Sequence, residues 1–410
     1  MSEPVPALAE GRPSVLARAA GGPHVVPLAM FFGSFAWSFV FVSLPFHIQA
    51  MSQVDAAATL RWTGWIIGIT ALVTVLTNPL WGRLAGRGDP KACYVLVEGL
   101  QGLGFFGMAL ARTLLELFAA RLVLGFMGAS STFAFMLAGR SADAAEVRRR
   151  VALVQSAMMV GGVIGPLAGA VTAARVGFRA SFVIGGLLLL ACSAFVYWGV
   201  SVPAVPDVGR AEGRRFRVRD VVIATAIVLA GSIHLFFLAP VLPQVLPGLG
   251  VADADMVEMG GVLIFASAAA AAVGAFAAPH LVRVAAERRV VALLLVASSL
   301  LLAALGAVAS VWAYTAVRFL QVLCIAPVFP LVVARVAQHA GGDVIGIVNS
   351  ARIAASFVGP VVATSVLAVA SPAVVYLVLA AMGVACLPLT ALRGPSDRVR
   401  SAGSAPPTGS

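Results

Sequence analysis

Charge is scarce in this chain. Of its 410 residues only 11% are Asp, Glu, Lys or Arg, under half the share usual in soluble domains. Acids are the scarcer sign, 17 against 28 basic residues. Lysine is almost absent: Lys91 stands alone, is followed by Ala92, and has no glycine-rich phosphate loop around it. An ATP-driven pump within this chain is thereby excluded. The five histidines, His24, His47, His234, His280 and His339, are scattered, and neither HExxH nor GxSxG occurs. With both hydrolase signatures missing, no enzyme, metal site or cofactor is expected. Cys93, Cys192, Cys324 and Cys386 have no paired or ligand-like spacing and read as small hydrophobes in a helix bundle. The first 24 residues lack the pattern of a removable signal peptide.

What the chain has is apolar length. It is 60% hydrophobic with a mean hydropathy of +1.00, the composition of an integral membrane protein. A helix needs about 20 apolar residues to cross the hydrocarbon. Residues 19–54, 62–82, 180–206, 221–252, 259–282 and 290–317 contain no charge at all. Residues 353–392 are also charge-free, and Ser371-Pro372 divides them into two helices. With spans near 93–111, 114–136 and 151–173 these make eleven, and the segment opened by Arg318 completes the twelve transmembrane helices predicted.

Basic residues are retained on the cytoplasmic side of a membrane. With both termini cytoplasmic, 21 of the 28 Lys+Arg fall in inner segments and the outer loops keep only Arg61, Arg112, Arg175 and Arg179. The net charge of +11 therefore reports topology and contact with anionic headgroups, and no nucleic-acid partner is implied. Arginine in place of lysine hints at a GC-rich bacterial genome, hence a bacterial cytoplasmic (inner) membrane.

The longest polar break, 201–219, divides the spans into six plus six. The organisation expected is a cytoplasmic tail (1–24), a six-helix bundle (25–200), a cytoplasmic linker (201–219), a second bundle (220–392) and a disordered tail (393–410). The halves repeat each other. Gly33-Ser34 and Pro45 match Gly231-Ser232 and Pro243, Arg121 matches Arg318, and Gly165-Pro166 matches Gly359-Pro360, all at offsets of 194 to 198 residues. Two similar bundles that face each other can enclose a midplane site and expose it to alternate sides by rocking.

Several local patterns resemble the major facilitator superfamily, in its twelve-span drug/proton antiporter branch. GRLAGRGDPK, residues 82–91, is similar to the family's loop between the second and third spans, with Gly82, Leu84, Ala85, Arg87 and Lys91 in place and Arg83 as a further loop arginine. It departs at Gly86, where the family has an acid, and at Asp89, where it has a second glycine. RLVLGFMGA, 121–129, is similar to the arginine-glycine pattern of the fourth span but carries Leu124 where glutamine is usual; Gln321 keeps that glutamine in the second half. VGGVIGPLAGA, 160–170, resembles the antiporter pattern of the fifth span. The resemblance covers residues 25–392 and implies an all-α membrane protein of two pseudo-symmetric six-helix bundles. It also implies that the 82–91 loop latches the halves, with Asp89 or Asp343 as acceptor for Arg87. By the same resemblance, the Gly161, Gly165, Pro166 and Gly169 face seals the halves against leak. Ordinary close packing with a proline kink has the same geometry, and the loop arginines also serve as positive-inside anchors.

Burying arginine in a span is costly unless it faces protein or water, so Arg121, Arg318 and Arg352 are expected to line the interior, with Gln321, Asn349, Trp37, Phe126 and Phe237 as further substrate contacts. His234 in the seventh span has the side chain suited to proton transfer near neutral pH, or packs as a hydrogen-bonded histidine. Glu98, a turn or so from the cytoplasmic face, cycles protons or pairs with a loop arginine; Arg121 is a third coupling candidate. Arginines without a central carboxylate would repel lipophilic cations and suit anionic or zwitterionic solutes. The expectation is a monomeric, proton-coupled exporter of a small amphipathic molecule, such as a carboxylate siderophore or an antibiotic. A broad multidrug pump, an importer and a non-transporting receptor are the alternatives.

Overall fold

The structure, a computed structural model, describes residues 24–139, 144–200, 218–337 and 342–391. The expected linker, apart from its last two residues, and nearly all of both tails lie outside these residues.

Among the described residues twelve helices are long and apolar enough to cross a membrane: α1 (Val25–Met51), α2 (Ala56–Arg87), α3 (Pro90–Leu110), α4 (Leu114–Ala138), α5 (Ala145–Val176), α6 (Phe178–Gly199), α7 (Val218–Gly248), α8 (Asp253–Arg283), α9 (Glu287–Ala307), α10 (Val311–Val336), α11 (Gly346–Leu367) and α12 (Pro372–Thr390). No strand occurs among the described residues. Helix starts follow the sequence locally. Asp55 accepts from the Ala58 N–H to begin α2, and Asp89 accepts from the Lys91 N–H ahead of Pro90 to begin α3.

The repeat is visible in the breaks. α1 is interrupted between Phe39 and Ser43, and its counterpart α7 between Phe236 and Leu242. α4 breaks between Phe126 and Ser130, and its counterpart α10 between Ile325 and Val328. A broken helix frees carbonyls that cannot stay unpaired in lipid. In α4 the Phe126 carbonyl accepts from Trp81 Nε1 at 2.7 Å, and the Met127 carbonyl accepts from Gln101 Nε2.

The expected bare face of α5 packs inside its own lobe. A Cβ at Gly161 would lie 2.5 Å from the Phe31 carbonyl, and one at Gly169 only 1.6 Å from the Phe39 carbonyl, so α5 and α1 touch backbone to backbone. Gly359 of α11 faces Ile233, Phe236 and Phe237 of α7 in the same relation, at 3.5 to 3.6 Å. The contact between lobes uses the other side of the α5 kink: the Pro166 carbonyl, Leu167 and Ala170 meet Gly261 of α8. On the opposite flank Gly64 meets Pro360, Val361 and Thr364, and Gly68 meets Phe357.

These seams all lie at the end of the molecule away from the arginine-rich loops. There a single apolar core joins Val42, Phe46, Leu60 and Ala170 of the first lobe to Phe237, Leu242, Leu263 and Ala363 of the second. At the arginine-rich end each lobe has its own core, one around Tyr94 and Phe133 and the other around Leu295 and Leu331. Among the described residues, therefore, the lobes share an apolar core at one end and have separate cores at the other.

Candidate functional site

Between the lobes lies a cavity of about 340 Å³ whose wall is unequally divided. The first lobe contributes Ser34, Trp37, Thr70, Thr74, Glu98, Gln101, Arg121, Ser130, Ser131 and Met158; the second gives only Phe236, Ser356 and Pro360. All charge at the wall belongs to the first lobe.

Glu98 and Gln101 sit three residues apart on α3 and so share a face. Glu98 is 1% exposed. Its Oε2 accepts from Ser130 Oγ at 2.5 Å, while Oε1 has no hydrogen-bond partner. Gln101 donates to Ser130 Oγ at 3.0 Å and accepts from Trp37 Nε1 at 2.5 Å. Ser130 is available to both because the break in α4 turns it inward. The Arg121 guanidinium lies 5.7 Å from the Trp37 ring centre and donates to the Ile66 and Ile67 carbonyls at 3.2 and 3.1 Å. Two of its five N–H donors serve those carbonyls. Thr70 and Thr74 lock α2 to α4 by donating to the Arg121 and Gly125 carbonyls.

Several sequence expectations need correction. Glu98 pairs with no loop arginine but reaches the cavity wall, so the chamber does contain a carboxylate. Of the three arginines within the spans, only Arg121 is at the wall. Arg318 is 1% exposed inside the second lobe, where it donates to the His234 and Leu235 carbonyls at 2.7 and 2.9 Å. These carbonyls precede the α7 break, and the guanidinium caps them; Phe237 covers it at 4.8 Å. Arg352 stays at the arginine-rich end of α11, accepted by Asn349 Oδ1 at 3.3 Å and lying over the Phe329 ring at 5.1 Å. Phe126 is 45% exposed on the outer surface because the turn at the α4 break rolls its ring away from the interior.

His234 belongs to a closed polar chain. A carbonyl can only accept, so His234 Nε2 donates to the Leu379 carbonyl at 2.8 Å, and Nδ1 shares a hydrogen bond with Ser298 Oγ at 3.1 Å. Ser298 in turn accepts from Gln321 Nε2 at 2.7 Å, and Gln321 Oε1 accepts from Arg318. The chain holds the imidazole away from the cavity, whose lining does not include it.

In the 82–91 loop, Arg83 and Arg87 are exposed, and among the described residues no carboxylate lies within 4 Å of either. Asp89 is engaged in capping α3, Lys91 lies over the Tyr197 ring at 5.6 Å, and Gly82 has open space around it. The Asp343 side chain lies outside the described residues. Gln101, Ser130, Thr70, Thr74 and Ser356 were not among the expected contacts. The signal for Gln101 was present: a second uncharged-polar residue three positions from Glu98 in a lipid-length helix.

Comparison with known proteins agrees with this architecture. The family model described as Major Facilitator Superfamily matches residues 27–297. An uncharacterized MFS-type transporter, YuxJ of Bacillus subtilis, is 26% identical over 42% of this chain and 44% of its own length. The staphyloferrin B transporter of Staphylococcus aureus is 30% identical over 33% of each chain. These two matches span less than half of either relative. Multidrug resistance protein MdtG of Dickeya zeae is 24% identical over 88% of this chain and 91% of its own. Among solved structures, the nucleoside transporter NupG superposes with a TM-score of 0.72 at 12% identity, covering 90% of this chain and 98% of that one. The human organic anion transporter MFSD10 superposes with a TM-score of 0.65 at 15% identity, over 92% and 100%.

Proposed function

This chain belongs to the major facilitator superfamily, whose members are membrane transporters and not enzymes, and from that premise we propose that it exports a small amphipathic zwitterion in exchange for protons. The observation that carries the reading is that the two charged residues of the chamber's lining, Glu98 and Arg121, are of opposite sign and stand on the same lobe's wall. A carboxylate and a guanidinium, each with hydrogen-bonding capacity left over, match a solute bearing both signs. The Trp37, Phe41, Met158 and Phe236 surfaces take its apolar part. Glu98 is the proton carrier in this reading, since the chamber's lining includes no other acid. Arginine distribution supports cytoplasmic termini in a bacterial inner membrane, so the separate ends of the lobes open inward.

Of two relatives, the staphyloferrin B transporter is named only as a transporter, whereas the name of the second, a multidrug resistance protein, supports export. The second match covers most of the chain and favours broad, multidrug specificity as the alternative reading. Proteoliposomes carrying a trapped pH dye distinguish them. Amphipathic zwitterions should drive proton movement and permanently cationic analogues should not. Equal responses to both would replace the zwitterion reading with the multidrug one, and movement of protons and solute in the same direction would make the protein an importer.

A further inference from the structure

A second recess lies on the outer surface, apart from the cavity. Between α2 and α4, at the end away from the arginine-rich loops, Ala58, Arg61, Trp62, Trp65, Leu115 and Phe118 enclose a groove of about 350 Å³. Trp62 and Phe118 meet edge to face at 6.0 Å. Trp65 and Leu115 are exposed. In a chain built of membrane-length helices, such a surface faces lipid.

Arg61 supplies the groove's one charged wall residue. It stands five residues into α2, about 8 Å along the helix axis, within reach of the headgroup layer. Arg61 is exposed, and among the described residues no carboxylate lies within 4 Å of it. The acids at the neighbouring helix starts are occupied: Asp55 accepts from the Ala58 N–H and Glu116 from the Arg112 N–H. An arginine that only snorkels needs no recess beneath it. This one tops a slot walled by three aromatic rings.

We propose that the groove binds one anionic phospholipid, with its phosphate on Arg61 and the first part of an acyl chain between Trp62, Trp65 and Phe118. Charge complementarity selects the occupant, because a choline headgroup cancels its own phosphate whereas a glycerol headgroup leaves the negative charge in place. Trp65 also stands edge-on to Phe357 of α11 at 5.3 Å, so the lipid would abut the contact that shuts this end of the protein. The inference does not depend on what the cavity carries.

The test uses the full chain, purified and delipidated, then offered equimolar phosphatidylglycerol and phosphatidylcholine with identical acyl chains, with retained lipid counted by native mass spectrometry. One phosphatidylglycerol should be kept in roughly fivefold preference. Arg61→Ala should erase the preference, and Arg83→Ala, an exposed arginine at the opposite end, should leave it intact. Equal retention of the two lipids, or a preference that survives Arg61→Ala, would overturn the proposal.

Discussion

Gly33 and Glu98 touch across the interface of α1 and α3: a Cβ on Gly33 would stand 2.6 Å from Glu98 Oε1. The bare backbone of α1 is what gives the unpaired carboxylate oxygen its room. Because the crowded atom is the tip of a side chain, Gly33→Ala should fold with wild-type yield while pushing the carboxylate off its position. Gradient-driven transport is expected to fall about tenfold, equivalent to about 1.4 kcal/mol, with detergent-extracted yield unchanged. Normal transport in that variant would show that the position of Oε1 is immaterial.

Arg318 carries a different burden. Removing it strips a donor from two carbonyls at the α7 break and from Gln321, and each buried group left unpaired costs about 1–3 kcal/mol. Arg318→Ala should therefore lower the thermal midpoint sharply. Arg318→Lys should rescue little of it, since one ammonium cannot reproduce the planar fork. Arg121→Lys, by contrast, should alter solute preference more than stability. A stable Arg318→Ala protein with altered specificity would return Arg318 to the binding wall.

The α5 glycines separate packing from motif. At Gly169 a methyl group would lie 1.6 Å from the Phe39 carbonyl, whereas Gly82 has nothing within 4 Å. Gly169→Ala should cost upwards of about 1–3 kcal/mol through overpacking and depress expression. Gly82→Ala should be nearly neutral. Thermal melts in detergent compare the two.

Much of this architecture is legible in the residues. Long apolar runs, most of them charge-free, mark the spans, and the offset between Gly165-Pro166 and Gly359-Pro360 exposes the repeat. What composition hides is which way a side chain turns. Arg121 and Arg318 are equivalent by sequence, yet Arg121 reaches back to intact α2 and borders the cavity, while Arg318 is drawn to the carbonyls freed by the proline-bearing break in α7. Glu98 looks peripheral when counted from the loop. The break in α4, which turns Ser130 and the Met127 carbonyl toward α3, makes it interior. Helix breaks depend on tertiary partners as much as on Gly and Pro, so these placements were beyond a reading of hydropathy.

The seam geometry also predicts a state-dependent crosslink. Gly64→Cys paired with Thr364→Cys should bridge in the resting protein, because a side chain built on Gly64 would abut the Thr364 hydroxyl. Bridged protein should lose transport and recover it on reduction. Full activity in the bridged form would mean that this end need not open.

The most direct measurement is the Glu98→Gln protein in proteoliposomes, assayed twice with the same solute. Glutamine keeps the shape and cannot exchange a proton. The account predicts that solute accumulation driven by a pH gradient is abolished, whereas solute-for-solute counterflow without a gradient continues. Gradient-driven accumulation at the wild-type rate would contradict it.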